Sequence, residues 1–241
     1  MKRHSFLGFM FGLALLAACT RHSDNPVETR HGTSLQTVAS PQLQAIDSLM
    51  WQQPDSALTV LLNYLNDDGR NTARRVSTDE IFNNHYANLL LAELLYKNDS
   101  VQTNRGELIQ AVDYYDSLSL LSDTRDVFLR PRPRRDARHA SAQNIAFLDA
   151  RAHYINGVGY YENDSMVEAC KEYLKALEVM ERHFDEKDLV ENEAIFMAFT
   201  NTRLAGVFSD LYLHEQAIYF SQCSMTYYKN RICHHGILRE Y

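Results

Sequence analysis

The sequence predicts an all-α protein, and three observations lead there. Apolar residues recur at spacings of three and four. Only 9 glycines occur in 241 residues. No run rich in Val, Ile and Thr alternates apolar with polar positions between glycine-bearing turns, as strands would require. The folded region is expected over residues 41–229, with 230–241 as a C-terminal tail.

The first elements belong to targeting rather than to the fold. Lys2 and Arg3 give residues 1–18 a positive start, Phe6 to Ala18 form an uncharged apolar stretch, and Leu16-Ala17-Ala18-Cys19 closes it. This is the three-part plan of a secretory signal, too short for a spanning helix. Small residues before a cysteine resemble the lipobox of bacterial lipoproteins. That resemblance implies cleavage before Cys19 and transfer to its thiol of a diacylglyceryl group, which carries fatty acyl chains such as palmitate. The plain alternative is an ordinary signal peptide with an incidental cysteine. At roughly 0.8 kcal/mol per buried methylene, two or three chains would make the anchor effectively permanent. Residues 19–40 are polar and without hydrophobic period, as a tether would be.

Helices follow in order. Ser40 can cap the first one and Pro41 suits its first turn. Pro54-Asp55-Ser56 precedes Ala57 and Leu61 on a second. Ser77 and Glu80 have the spacing of a capping box ahead of Leu89, Leu90, Leu91, Leu94 and Leu95. Ala111 and Tyr115 mark another helix. Phe147, Ala150, Tyr154, Val158 and Tyr161 share a helical face. Glu162-Asn163-Asp164 reads as a turn, Ser165 with Glu168 as a second capping box, and Ala169, Tyr173, Ala176, Leu177 and Met180 as the face that follows. Leu204, Ala205, Phe208 and Ala217 carry the last pattern.

Residues 150–181 resemble a tetratricopeptide repeat (TPR), a hairpin of two antiparallel helices. Gly157 and Ala169 stand where the family keeps small residues so that the helix backbones approach. Tyr160 and Tyr173 stand where large ones fill the flanks, and Ala176 leaves room for the next unit. Two positions depart: His153 replaces the usual tryptophan, and Glu181 stands where proline often ends the second helix. The alanines at 57, 111, 169 and 217 are 54, 58 and 48 residues apart, against a repeat of about 34. The resemblance implies a right-handed α-solenoid of about four hairpins with long links, at 66–76, 97–105, 122–140 and 182–193. A narrower likeness is to lipid-anchored envelope proteins of this family, through Asp47-Ser48-Leu49-Met50 and Gln53-Pro54-Asp55-Ser56-Ala57.

Composition and motifs narrow the function classes. From Cys19 onward the chain has 22 basic and 31 acidic residues, a net charge of −9, which argues against nucleic acid as a partner. No GxSxG, HExxH, P-loop or glycine-rich dinucleotide turn occurs, so neither an enzyme nor a cofactor is expected. His153 and His214 fall on helices, where packed or surface roles are commoner than ligation. Cys233-His234-His235 holds adjacent side chains that diverge, and no metal is expected. Cys170, Cys223 and Cys233 make an odd set without CxxC, and Cys170 reads as a small core residue. Arg130, Arg132, Arg134, Arg135 and Arg138, interrupted by Pro131 and Pro133, form the one basic cluster. It could meet an acidic partner, lipid headgroups or polysaccharide, or be a solvated loop kept extended by its X-Pro steps. In tetratricopeptide proteins first helices line a concave groove, so the resemblance makes Tyr86, Tyr96, Tyr154 and Tyr161 further candidates for contact. The expectation is a scaffold held at the bacterial envelope by Cys19, in the outer membrane of a diderm, that binds a protein or peptide. A carbohydrate-binding envelope lipoprotein, with Trp51 expected buried, and the truncated sensory half of a longer signalling protein are the competing readings.

Overall fold

A computed structural model of the 241-residue chain describes residues 39–68, 78–99, 105–128 and 135–234. Cys19, the leader, nearly all of the expected tether, Ser77, Arg130, Arg132 and Arg134 lie outside the described residues. Among the described residues every regular element is a helix. In chain order these are α1 (Pro41–Met50), α2 (Pro54–Asp68), α3 (Thr78–Lys97), α4 (Arg105–Phe128), α5 (Arg135–Glu162), α6 (Met166–His183), α7 (Glu191–Asp210) and α8 (His214–His234). None is long and apolar enough to cross a membrane.

Local chemistry sets the ends. The Leu43 N–H donates to Ser40 Oγ at 3.2 Å, with Pro41 opening α1 where its missing N–H is harmless. Ser165 precedes α6 but its side chain makes no capping bond, so the expected box with Glu168 does not close. Half of such a box forms before α7, where the Val190 N–H donates to the Glu193 carboxylate at 2.9 Å and the valine side chain has no acceptor to return the bond. The α5–α6 and α7–α8 turns share one device. Asp164 and Tyr212 adopt left-handed backbone, with φ of 58° and 61°. The next residue's N–H then reaches back five positions, Ser165 to Tyr160 O at 3.0 Å and Leu213 to Phe208 O at 2.8 Å. This is the Schellman motif, which satisfies carbonyls that the helix end would leave open.

Each helix packs on the next, and α1, α3, α5 and α7 also touch one another in that order. Neighbours run antiparallel. Gln143 at the start of α5 donates to His183 O at the end of α6, while Gly157 near the end of α5 meets Tyr173. Across α7 and α8, Phe208 stacks on Phe220 and Phe199 meets Tyr228. The odd helices run parallel: Phe147 meets Phe196 early in α5 and α7, and Tyr161 meets Asp210 at their ends. One buried apolar cluster runs from Ala39 in the chain before α1 to Val207 in α7, so packing begins inside the expected tether.

Several expectations change. The link expected over 122–140 is largely helical, because α4 continues to Phe128 and α5 starts at Arg135. Its X-Pro steps are confined to the six residues between them. Likewise α8 runs past residue 229 into the expected tail. Trp51 is not buried: 45 % of it is exposed, with Lys97 Nζ 4.2 Å above the ring. It follows the end of α1, where it borders the core without entering it.

Two glycines give opposite expectations. A Cβ on Gly157 would lie 2.8 Å from the buried Tyr173 ring and 3.2 Å from Glu172 Cβ, whereas nothing lies within 4 Å of one on Gly206. Gly157→Ala should lower stability by about 1–3 kcal/mol through overpacking. Gly206→Ala should raise it by about 1 kcal/mol through helix propensity alone. Urea midpoints of the two variants check this. Tyr212 is 82 % exposed, so its side chain gives little packing to offset its strained backbone. Tyr212→Gly should therefore raise the thermal midpoint, by about 0.5–1 kcal/mol in stability.

Candidate functional site

Helix α5 is buried over most of the stretch from Ala146 to Gly159, and three ionisable residues within it, Asp149, Arg151 and His153, are buried too. Helical geometry decides where each goes. Positions 149 and 153 are four apart and share a face, whereas 151 points to the far side.

On the far side Arg151 joins three helices. Its Nη1 and Nη2 donate to the two carboxylate oxygens of Asp47 in α1, both at 2.9 Å. Its Nε and Nη2 donate to the Glu93 carboxylate of α3 at 2.9 and 2.5 Å. Tyr86 of α3 adds its hydroxyl to Asp47 at 2.5 Å. The paired fork is the strongest geometry a guanidinium can adopt with carboxylates. The two carboxylates hold Arg151 well above the ordinary arginine range despite its burial. Burial, with Asp47 beside it, pushes the Tyr86 hydroxyl far up.

On the near side His153 sits between carboxylates from two neighbouring helices. Its Nδ1 lies 2.7 Å from Glu172 Oε2 of α6. Its Nε2 lies 3.5 Å from Asp116 Oδ1 of α4 and 3.6 Å from Asp149 Oδ1 of its own helix. Lys175 of α6 donates to the other oxygen of Asp116 at 2.5 Å. Asp149 is 1 % exposed; Ser119 hydrogen-bonds its carboxylate, yet Oδ1 accepts no hydrogen bond. Burial raises the Asp149 carboxyl to about 6, and the nearby His153 opposes that shift. One His nitrogen and one oxygen from each of Asp116 and Asp149 lie within 4.8 Å of one another.

A third feature lies along the odd helices. Arg203 of α7 places its guanidinium 5.4 Å from the centre of the Tyr96 ring of α3. Burial lowers the Arg203 pKa, and no charged group among the described residues offsets that. Phe199, one turn earlier on α7, is exposed.

The residues singled out in the sequence fall as follows. Gly157 faces Tyr173; Ala169, Tyr173 and Ala176 are fully buried on α6; Tyr160 is half-buried, with the Arg105 guanidinium 4.6 Å over its ring. Tyr154 packs between Tyr173 and Phe196. The Tyr161 hydroxyl donates to Asp210 at 2.6 Å, and burial together with that carboxylate moves it to about 12. Tyr86 is buried, so it offers no contact surface. Of the basic cluster, Arg135 is the first residue of α5. Cys170 is half-buried against the core. Asp149 and Arg151 were not singled out in the sequence, and His153 read there as a packed or surface residue. The available signal was three charged residues at alternate positions inside a helix whose apolar residues demand burial on every side.

No model of a known protein family matches the chain, and no curated protein matches it.

Removing Arg151 should be costly. Arg151→Met leaves Asp47 and Glu93 without their shared cation. The variant should lose about 3–5 kcal/mol of stability, the range for breaking one side of a buried ion pair. Arg151→Lys should recover only part of it, because one ammonium cannot reproduce two forks. Chemical unfolding of both variants measures the difference.

Proposed function

We propose that the protein is a scaffold of tetratricopeptide type, a right-handed stack of hairpins held at the bacterial envelope by lipid on Cys19, and that it binds another polypeptide along its odd-numbered helices without catalysing a reaction. One observation carries this reading: the Arg203 guanidinium of α7 lies 5.4 Å from the centre of the Tyr96 ring of α3, so side chains from helices on either side of α5 in the odd row meet. A row bent toward that contact would have an inner face, to which Tyr96 and Arg203, with the exposed Phe199 one turn away, would give aromatic area and a cation. Tyrosine, other aromatics and arginine are the side chains that dominate protein interfaces. The anchor would raise the local concentration of the scaffold for partners at the same membrane.

The reading has a direct test. Cys19→Ser should shift the protein from the membrane to the soluble fraction and leave its helical circular dichroism unchanged. From its own envelope fraction, the wild type should retain a polypeptide that Arg203→Glu retains about tenfold less or not at all. Equal retention by the two removes the inner face from the account. A membrane-bound Cys19→Ser protein removes the anchor.

The exposure of Trp51 favours a second reading, that of a carbohydrate-binding lipoprotein, because an open indole can stack on a sugar. Lys97 already covers one face of the ring. Binding on a glycan array that Trp51→Ala abolishes would establish this alternative; an array without signal leaves the polypeptide scaffold.

A further inference from the structure

We propose that Asp116, Asp149 and His153 form a site for a divalent first-row transition metal of the zinc type, with Glu172 orienting the histidine from behind. This goes beyond the scaffold reading and does not depend on it.

The argument starts from the imidazole. Both ring nitrogens of His153 face carboxylates, Nδ1 toward Glu172 and Nε2 toward Asp116 and Asp149. A neutral imidazole has one N–H, and the short 2.7 Å contact claims it for Glu172. The Nε2 lone pair then points at two carboxylate oxygens, which is repulsive unless a cation or a second proton lies between them. A second proton would pull one carboxylate to about 2.7–2.9 Å, the length of a charge-assisted hydrogen bond. The observed separations are 3.5 and 3.6 Å. Donors held tetrahedrally at 2.0–2.1 Å from a zinc ion stand about 3.4 Å apart, close to that spacing.

Three further features fit. Asp149 Oδ1 is buried, accepts no hydrogen bond and faces His153 Nε2, so a polar atom that should have a partner is aimed into the site. Lys175 takes Asp116 Oδ2 and leaves Oδ1 toward the histidine. Three carboxyl groups, Asp116, Asp149 and Glu172, face one amine, Lys175, and a divalent ion would offset that acidic surplus. The pairing of Glu172 with the nitrogen that does not bind the metal is the arrangement that fixes a ligating histidine's tautomer. An imidazole among the donors selects against calcium and magnesium, which take oxygen ligands. Asp116 is 30 % exposed along its side chain, which gives the ion a way in and leaves a fourth position for water.

The test uses the full chain, stripped with chelator and then dialysed against Zn²⁺ or Co²⁺. The expected result is one ion per chain, with the visible absorption of tetrahedral cobalt. Asp149→Asn and His153→Gln should each abolish it. Glu172→Gln, at a more exposed position that should tolerate the change, should weaken affinity about 10–100-fold. Failure of the wild type to take up either ion saturably overturns the proposal. So does uptake unchanged in Asp149→Asn and Glu172→Gln, which would place the ion on surface histidines.

Discussion

The structure depends on one guanidinium. Arg151 holds Asp47 of α1 and Glu93 of α3 at once, and Tyr86 completes the shell around Asp47. Apolar side chains attract without direction, so helices packed through them alone can slide past one another or rotate at little cost. A fork that must meet two carboxylates has no such freedom. Desolvating three charges consumes most of what their attraction returns, and a well-packed apolar trio could be as stable. What the cluster adds is register: it admits one relative height for α1, α3 and α5. Rows of parallel helices need that more than hairpins do, because within a hairpin the short turn already sets the offset.

The turns show how little is needed there. Asp164 and Tyr212 close equivalent corners 48 residues apart, the same interval that separates Ala169 from Ala217. At both corners the residue after the left-handed one bonds back to the same place in the preceding helix. Neither corner uses glycine. The backbone cost, about 1–2 kcal/mol for each left-handed residue, is offset by the carbonyls it satisfies. The first corner was legible only as the polar turn Glu162-Asn163-Asp164, and the second, Leu211-Tyr212-Leu213, was not legible at all, because no glycine announces either.

What the sequence showed and what it hid follow the same division. Helix type was legible because spacing of three and four is a local property, as at Phe147, Ala150, Tyr154 and Val158. The close approach at Gly157 was legible because a missing side chain in a helix demands a reason, and Tyr173 supplies it. The length of α4 and α5 was not, because Pro131 and Pro133 suggested a wider break than the chain makes. The polar clusters were hidden for a different reason. Apart from Asp149 with His153, one turn apart on α5, their partners are distant in the chain, such as His153 with Glu172 and Arg151 with Asp47, 19 and 104 positions apart, and no local rule pairs those. Asp47 stood inside a recognised segment without its partner. Trp51 was misplaced because size argues for burial, while its position beyond the last turn of α1 argues against it.

Helix α5 therefore carries two kinds of obligation on opposite sides. Its Arg151 side ties it to the odd row, and its Asp149–His153 side faces α4 and α6. A helix held from both sides by directional contacts cannot rotate to relieve one without breaking the other. Among the described residues α7 meets α8 through other kinds of contact: Thr202 meets Ser224 through a hydroxyl pair, and Phe208 stacks on Phe220. Exposed apolar side chains gather at that end too, among them Tyr212, Ile218, Tyr219 and Met225. Directional polar contacts are thus concentrated at α1, α3 and α5, and apolar packing at the last pair. Arg203, which α7 brings back to Tyr96, spans the two.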